Sequence, residues 1–335
     1  MITENTKYKI IRSQNFNMFF NKNTGTTITY GETDKDDPDF CPQGPLIADI
    51  EVSTICGQGC KFCYKCNTYF GKNMSFELFK DIFHKLPRTL TQIAFGIGDI
   101  WANKDLPMIL NYCRNNDYQY ITPNITINGG DMTPEYYEML IKTCGAVAVS
   151  YYNTDVCFDV VHELTNRGLT QCNIHALLSE ESFDECMELI DKVKSDSRLS
   201  RLNAVVFLML KQKGRGRHLH RISDEKYNLF VTKLMASGIS FGFDSCGAGR
   251  LLNFGIDSDM AKFIEPCESG LFSMYINTEG KFFPCSFTED TLDWEDGIDL
   301  SNITDFVKEV WMGDRVLEWR NILLNNKRRC PQYRI

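Results

Sequence analysis

The chain has 335 residues, 43% of them hydrophobic, and its 36 lysines and arginines stand against 44 aspartates and glutamates for a formal charge of −8. That length suits one barrel-sized domain with an appendage, and the acidic balance argues against nucleic-acid binding. No apolar run approaches a membrane span, Met1 to Asn5 lacks the regions of a secretion signal, and the fourteen cysteines point to a reduced cytoplasmic setting where thiols ligate metal rather than pair as disulfides.

Residues 7–30 read as an antiparallel ribbon, with Asn23-Thr24-Gly25 as the turn between Asn17-Met18-Phe19-Phe20 and 26–30. An acidic, proline-containing linker follows at 32–45. From residue 47 short apolar runs alternate with amphipathic helices, the pattern of a parallel sheet wrapped by helices. Strands are expected at 47–53, 92–96, 122–127, 146–150, 171–177, 202–210 and 239–243. The helices between them have readable ends. Ser75 caps one whose Phe79, Ile82, Phe83 and Leu86 form an apolar stripe, and Pro87 stops it. Thr133-Pro134 sets an N-cap before a proline at the first helical position, and Gly145 closes that helix. Three more are expected at 155–168, 182–194 and 223–237, the last ending at Gly238. The expected fold class is α/β, a partial (β/α)6 TIM-like barrel over 47–243, with the ribbon and linker at 1–46 before it and a small unit at 244–335 after it.

The loop after the first barrel strand reads Cys56-Gly57-Gln58-Gly59-Cys60-Lys61-Phe62-Cys63. Active sites of such folds lie at the carboxyl ends of the strands, where this loop begins. A cubic iron-sulfur cluster takes four ligands, so three cysteines leave one iron open. Gly57 and Gly59 let the backbone wrap closely, and Phe62 can screen a cluster from water. Cys66 adds a fourth thiol, which also admits a structural zinc, although zinc ligands usually come as two pairs a dozen or more residues apart. Cys66 reads as a bystander.

The Cys-x3-Cys-x2-Cys spacing, with an aromatic before the third cysteine, resembles the signature of the radical S-adenosylmethionine enzymes. The resemblance implies a [4Fe-4S] cluster on Cys56, Cys60 and Cys63, with S-adenosylmethionine on the open iron. It implies that one electron passes to the sulfonium, that a 5'-deoxyadenosyl radical takes a substrate hydrogen, and that flavodoxin or ferredoxin serves as external one-electron donor. The family's Gly-Gly-Glu-Pro after the second strand is here Gly96-Ile97-Gly98-Asp99, which keeps two glycines and an acidic acceptor. Asn128 and Ser150 match residues that often end the third and fourth strands. The cofactor-binding set implied is Phe62, Gly96, Gly98, Asp99, Asn128 and Ser150. His175 reads as a hydrogen-bonded core residue. The basic segment 211–221 has three readings: an arginine for the cosubstrate carboxylate, a lure for an acidic peptide, or a solvated loop.

Beyond the last barrel strand, the stretch from Cys267 through Gly280 to Cys285 resembles the opening of the SPASM and twitch extensions of that family. The resemblance implies a twitch/SPASM-like domain with a second, auxiliary [4Fe-4S] cluster on Cys267, Cys285 and Cys330. Tyr333 stands where a closing Cys-x2-Cys would place its last cysteine. Cys246 has three readings: fourth cluster ligand, catalytic cysteine returning a hydrogen atom to a substrate radical, or a plainly buried thiol. Cys113, Cys144, Cys157, Cys172 and Cys186 read as core. Such enzymes commonly modify ribosomally made peptides by crosslinking, thioether formation or epimerisation, so a peptide substrate is expected. The alternatives are a dehydrogenase of a small alcohol or sugar and, more remotely, a non-catalytic iron-sulfur or zinc protein. The residues before the barrel are too few for the winged-helix module with which some members grip a leader peptide, so a leader-binding partner is expected on a separate protein.

Overall fold

In the computed structural model, which describes residues 1–14, 16–33, 37–261, 264–291 and 293–335, the chain opens as four antiparallel strands paired in sequence order. These are β1 (Ile2–Glu4), β2 (Tyr8–Arg12), β3 (Asn17–Asn21) and β4 (Thr27–Tyr30). The expected ribbon held only the last two hairpin arms as strands. The Asn5 side chain makes the missing turn, accepting from the Lys7 and Tyr8 amides at 2.8 Å each. Lys9 hides β2 from a pattern search, because a charged residue occupies a wholly buried position. Part of the expected linker, residues 34–36, lies outside the described residues.

The Lys9 ammonium donates to the Leu90 carbonyl at 2.5 Å and lies 3.7 Å from Glu4. Burial lowers its pKa to about 8 against the opposing pull of Glu4. Between that value and the 10.5 of a free lysine, the unfolded chain carries a proton that the native chain has released, so stability rises with pH through this window. The rise is worth about 3 kcal/mol. Denaturant midpoints should climb from about pH 8 to about pH 10.5 in the native sequence and stay flatter in Lys9→Met; parallel curves would refute the assignment.

Seven parallel strands follow in order across one sheet: β5 (Ile47–Glu51), β6 (Gln92–Gly96), β7 (Thr122–Ile127), β8 (Ala146–Ser150), β9 (Cys172–Leu178), β10 (Ala204–Met209) and β11 (Phe241–Phe243). Between them run α1 (Phe76–Lys85), α2 (Leu106–Arg114), α3 (Pro134–Thr143), α4 (Thr154–Asn166), α5 (Phe183–Ser195) and α6 (Asp224–Ser237). Ser75 Oγ caps α1 by accepting the Leu78 amide at 3.2 Å, and Phe79, Ile82 and Phe83 are its buried face. Helix α2 was not expected. Its Pro107 reads as a breaker, yet proline is tolerated in a first turn, where the amide has no helical partner.

The C-terminal segment contributes α7 (Ser245–Leu252), α8 (Ser258–Ala261), β12 (Ser273–Ile276), β13 (Lys281–Phe283), β14 (Ile298–Asp299) and α9 (Asp314–Asn325). Strand β12 pairs parallel to β5, with Tyr275 opposite Asp49, so the hairpin extends the barrel sheet to ten strands. The sequence indicated turns here and not helices. Two glycines, Gly247 and Gly249, weaken the pattern of α7, and the buried Arg320 interrupts the apolar stripe of α9. Ile11, Phe16, Met18 and Phe20 of the N-terminal sheet share a core with Leu271, Phe272 and Leu323. Among the described residues, no helix is long and apolar enough to cross a membrane.

Candidate active site at the mouth of the barrel

A cavity of about 530 Å³ opens at the carboxyl ends of β5 to β10, within the size range of small-molecule and cofactor sites. Cys56, Cys60, Phe62 and Cys63 line it, together with Gly96, Gly98, Asn128 and Ser150 from the neighbouring strand ends. Cys246, Cys267 and Cys285 face the same space. Of the sequence-derived site residues, Asp99 and Cys330 lie off this wall.

Asp99 is buried, and both carboxylate oxygens are used. One accepts the Gly57 amide and the other Asn128 Nδ2, each at 2.8 Å. The Asp99 amide donates to the Ile55 carbonyl at 2.9 Å. This carboxylate, expected from sequence to bind the cosubstrate, holds the cysteine loop and the Asn128 side chain. Gly98 explains the close approach, since a Cβ there would lie 2.1 Å from the Ile55 carbonyl oxygen. Asp99→Asn sets an amide donor against one of the two donors it now accepts. A loss of about 1–3 kcal/mol in denaturant unfolding is expected, and an unchanged midpoint would show that the loop is held elsewhere.

The basic segment after β10 is not a free loop. The Arg215 amide donates to the Cys63 carbonyl at 3.0 Å, while its Nε and Nη1 reach the carbonyls of Cys60 at 2.8 Å and Asn67 at 3.1 Å. Gly214, at φ +57°, permits this contact, because a Cβ would come within 2.4 Å of the Tyr64 carbonyl oxygen. Arg215 therefore clamps the cysteine loop. Burial raises the Cys56 and Cys60 thiols, and for Cys60 the Arg215 charge acts in the opposite sense. The Phe62 and Tyr152 rings pack with centroids 5.2 Å apart at the edge of the loop.

Sequence reasoning missed the polar floor. On β5, Ala48 and Ile50 turn into the helix-side core while Asp49 and Glu51 line the cavity. Glu51 pairs with Lys65 at 3.1 Å and accepts the Tyr275 hydroxyl at 3.0 Å; Lys65 also binds Glu289. The protein surrounding the cavity, with Glu268 adding repulsion, lifts the Asp49 carboxyl to about 7 although its side chain is accessible there. The signal was present as two acidic residues inside an otherwise apolar strand. His175 lines the cavity too, and burial lowers it to about 4, so it is neutral near pH 7.

The second cysteine group gathers from four places in the chain. Cys246 at the start of α7 lies within electrostatic reach of Cys267 and Cys285, and both of these within reach of Cys330. Burial pushes Cys285 up to about 12, Cys267 up to about 11 and Cys246 well above the ordinary thiol range, with Lys211 opposing the last. Burial disfavours charge on Lys211, but its ion pair with Asp244 keeps it protonated. The Phe287 amide points at Cys285 Sγ and the Tyr333 amide at Cys330 Sγ, each at 3.4 Å. Tyr333 itself turns its hydroxyl to the Phe287 carbonyl at 3.2 Å. All these cysteines are free, as are Cys113, Cys144, Cys157, Cys172 and Cys186, which are buried in the core; Cys66 is exposed.

Both groups fit iron-sulfur clusters by donor chemistry, as unpaired thiols that backbone amides or a cationic side chain can stabilise once ionised. Among the described residues no three His, Cys, Asp or Glu side chains converge as a single metal ion requires. A cluster distributes its thiolates over separate irons.

No family model matches this sequence, and no curated protein is similar to it. Its fold does match solved structures. SuiB of Streptococcus suis bound to the precursor peptide SuiA is 14% identical and superposes with a TM-score of 0.70 over 95% of this chain and 90% of that one. SuiB bound to S-adenosylmethionine, also 14% identical, gives 0.63 over 99% and 89%. The enzyme anSMEcpe with bound AdoMet and the Cp18Cys peptide gives 0.59 at 14% identity, over 83% of each chain. In fold, and over most of its length, the chain is therefore similar to SuiB and anSMEcpe.

Proposed function

We propose that this protein is a radical S-adenosylmethionine enzyme that modifies a ribosomally made peptide. The observation carrying this reading is that the three-cysteine loop and the second cysteine group open onto one cavity at the carboxyl ends of the barrel strands. Cys56, Cys60 and Cys63 would hold one [4Fe-4S] cluster and Cys246, Cys267, Cys285 and Cys330 the auxiliary one. When bound, the first cluster supplies the electron that cleaves S-adenosylmethionine to a 5'-deoxyadenosyl radical. Gly96 and Gly98 offer backbone to the cosubstrate, Asn128 and Ser150 offer hydrogen bonds, and Phe62 with Tyr152 excludes water. Asp99 and Arg215 keep the loop in place. The division into 1–46, a barrel at 47–243 and an auxiliary-cluster unit at 244–335 belongs to the same proposal, as does an external donor of the flavodoxin or ferredoxin kind. Two structural relatives bound to peptides support the substrate class.

Anaerobically reconstituted protein should hold about eight irons per chain and release 5'-deoxyadenosine from S-adenosylmethionine with dithionite, even without substrate. Iron-loaded protein that releases none would end the radical reading. A short peptide encoded beside the gene, incubated with the active enzyme, should change mass; an unchanged peptide alongside normal 5'-deoxyadenosine release would remove only the substrate assignment.

A further inference from the structure

We infer that the cavity recognises a cationic group of the substrate, an ammonium or guanidinium, through the carboxylate of Asp49. The inference rests on the enzyme reading above and narrows its substrate to one carrying a lysine, an arginine or another amine. Asp49 stands in the middle of β5, hydrogen-bonded on both sides, opposite Ala94 of β6 and Tyr275 of β12. A residue so placed has only two directions to face. The helix side belongs to Ala48 and Ile50, so Asp49 faces the cavity, where its side chain is accessible although protein surrounds it.

The cations on the cavity wall are Lys65, Lys211 and Arg215, and each is already engaged. Lys65 is bound by Glu51 and Glu289, Lys211 by Asp244, and Arg215 by the carbonyls of Cys60 and Asn67. The hydroxyl of Tyr275, the residue opposite Asp49, is directed to Glu51. Another carboxylate, Glu268, acts on Asp49 as a like charge. A carboxylate that faces the cavity with no cation of the protein beside it is open to a charge-assisted contact with one that a ligand brings. Glu51, one layer nearer the mouth, shows the contrast, since the protein supplies its cation in Lys65.

Isothermal titration of the reconstituted holoenzyme with S-adenosylmethionine bound separates this from other uses of the cavity. The probes are the N-acetyl methylamides of lysine, norleucine and glutamine, unbranched side chains that end in an ammonium, a methyl and a neutral amide. The lysine probe should bind at least about tenfold tighter than either neutral probe, and Asp49→Asn, a near-isosteric change, should bring the three together. Asp49→Ser serves as the second variant and should do the same. Equal binding of the three probes to the native protein, a lysine preference that survives both variants, or no lysine binding at all would each overturn the inference. None of these outcomes depends on turnover, so 5'-deoxyadenosine release tests the enzyme reading separately.

Discussion

Cys60→Ala should abolish 5'-deoxyadenosine release, lowering its rate by at least about 1,000-fold, and should lower reconstituted iron by about four atoms per chain. The loop holds its shape through backbone contacts that this change leaves intact. Arg215 grips the Cys60 carbonyl, Asp99 accepts the Gly57 amide, and the Ile55 carbonyl accepts the Asp99 amide. The loss therefore reports the missing thiolate and not a collapsed loop. Cys66→Ala provides the control, because Cys66 is exposed, away from the cavity wall, and already at a positive φ of 55° that alanine tolerates as well as cysteine does. It should keep iron content and 5'-deoxyadenosine release near those of the native protein. Comparable losses in the two variants, or activity retained in Cys60→Ala, would mean that the three-cysteine loop does not hold the reactive cluster.

The barrel was legible because parallel strands covered on the helix side appear as short apolar runs between amphipathic helices. The strands at 92–96, 122–127 and 146–150 fall where the sequence put them, and Ser75 caps its helix as its residue type suggests. What escaped was decided by contacts distant in sequence or by buried charge. Pairing of β12 with β5 joins segments more than 200 residues apart, and nothing local to either announces it. Lys9 in β2 and Arg320 in α9 are charges at buried positions, so they interrupt the periodicity that pattern reading depends on. The candidate site divides in the same way. Its thiols and glycines were visible as spacing, whereas the use of Asp99 as a loop anchor and of Arg215 as a clamp depends on which backbone groups arrive beside them. Asp49 was readable as an anomaly in an apolar strand, but its meaning required the inventory of cations around it.

Cys246→Ala is the second decisive change, and reconstituted iron should again fall by about four atoms per chain while the three-cysteine loop keeps its own cluster. The two roles open to Cys246 make opposite demands on its surroundings. A cysteine that returns a hydrogen atom must keep its S–H and stand apart from other thiols in the cavity. A ligand needs thiols as neighbours and positive charge to favour ionisation. Cys246 has neighbours of the second kind. Cys267 and Cys285 lie within electrostatic reach, and Lys211 favours the thiolate, although burial, Asp244 and those two thiols together hold the Cys246 thiol well above its ordinary range. Its position is fixed by the helix it begins, since Asp244 caps α7 through the Gly247 amide at 3.0 Å and also pairs with Lys211. Cys330→Ala should give the same iron loss, because that thiol adjoins Cys267 and Cys285 from the other end of the segment. Full iron content in Cys246→Ala, with 5'-deoxyadenosine still released but product lost, would transfer Cys246 to hydrogen donation. The auxiliary cluster would then have three protein ligands and an open iron of its own, which would make the second cysteine group a place for substrate to bind as well as a path for electrons.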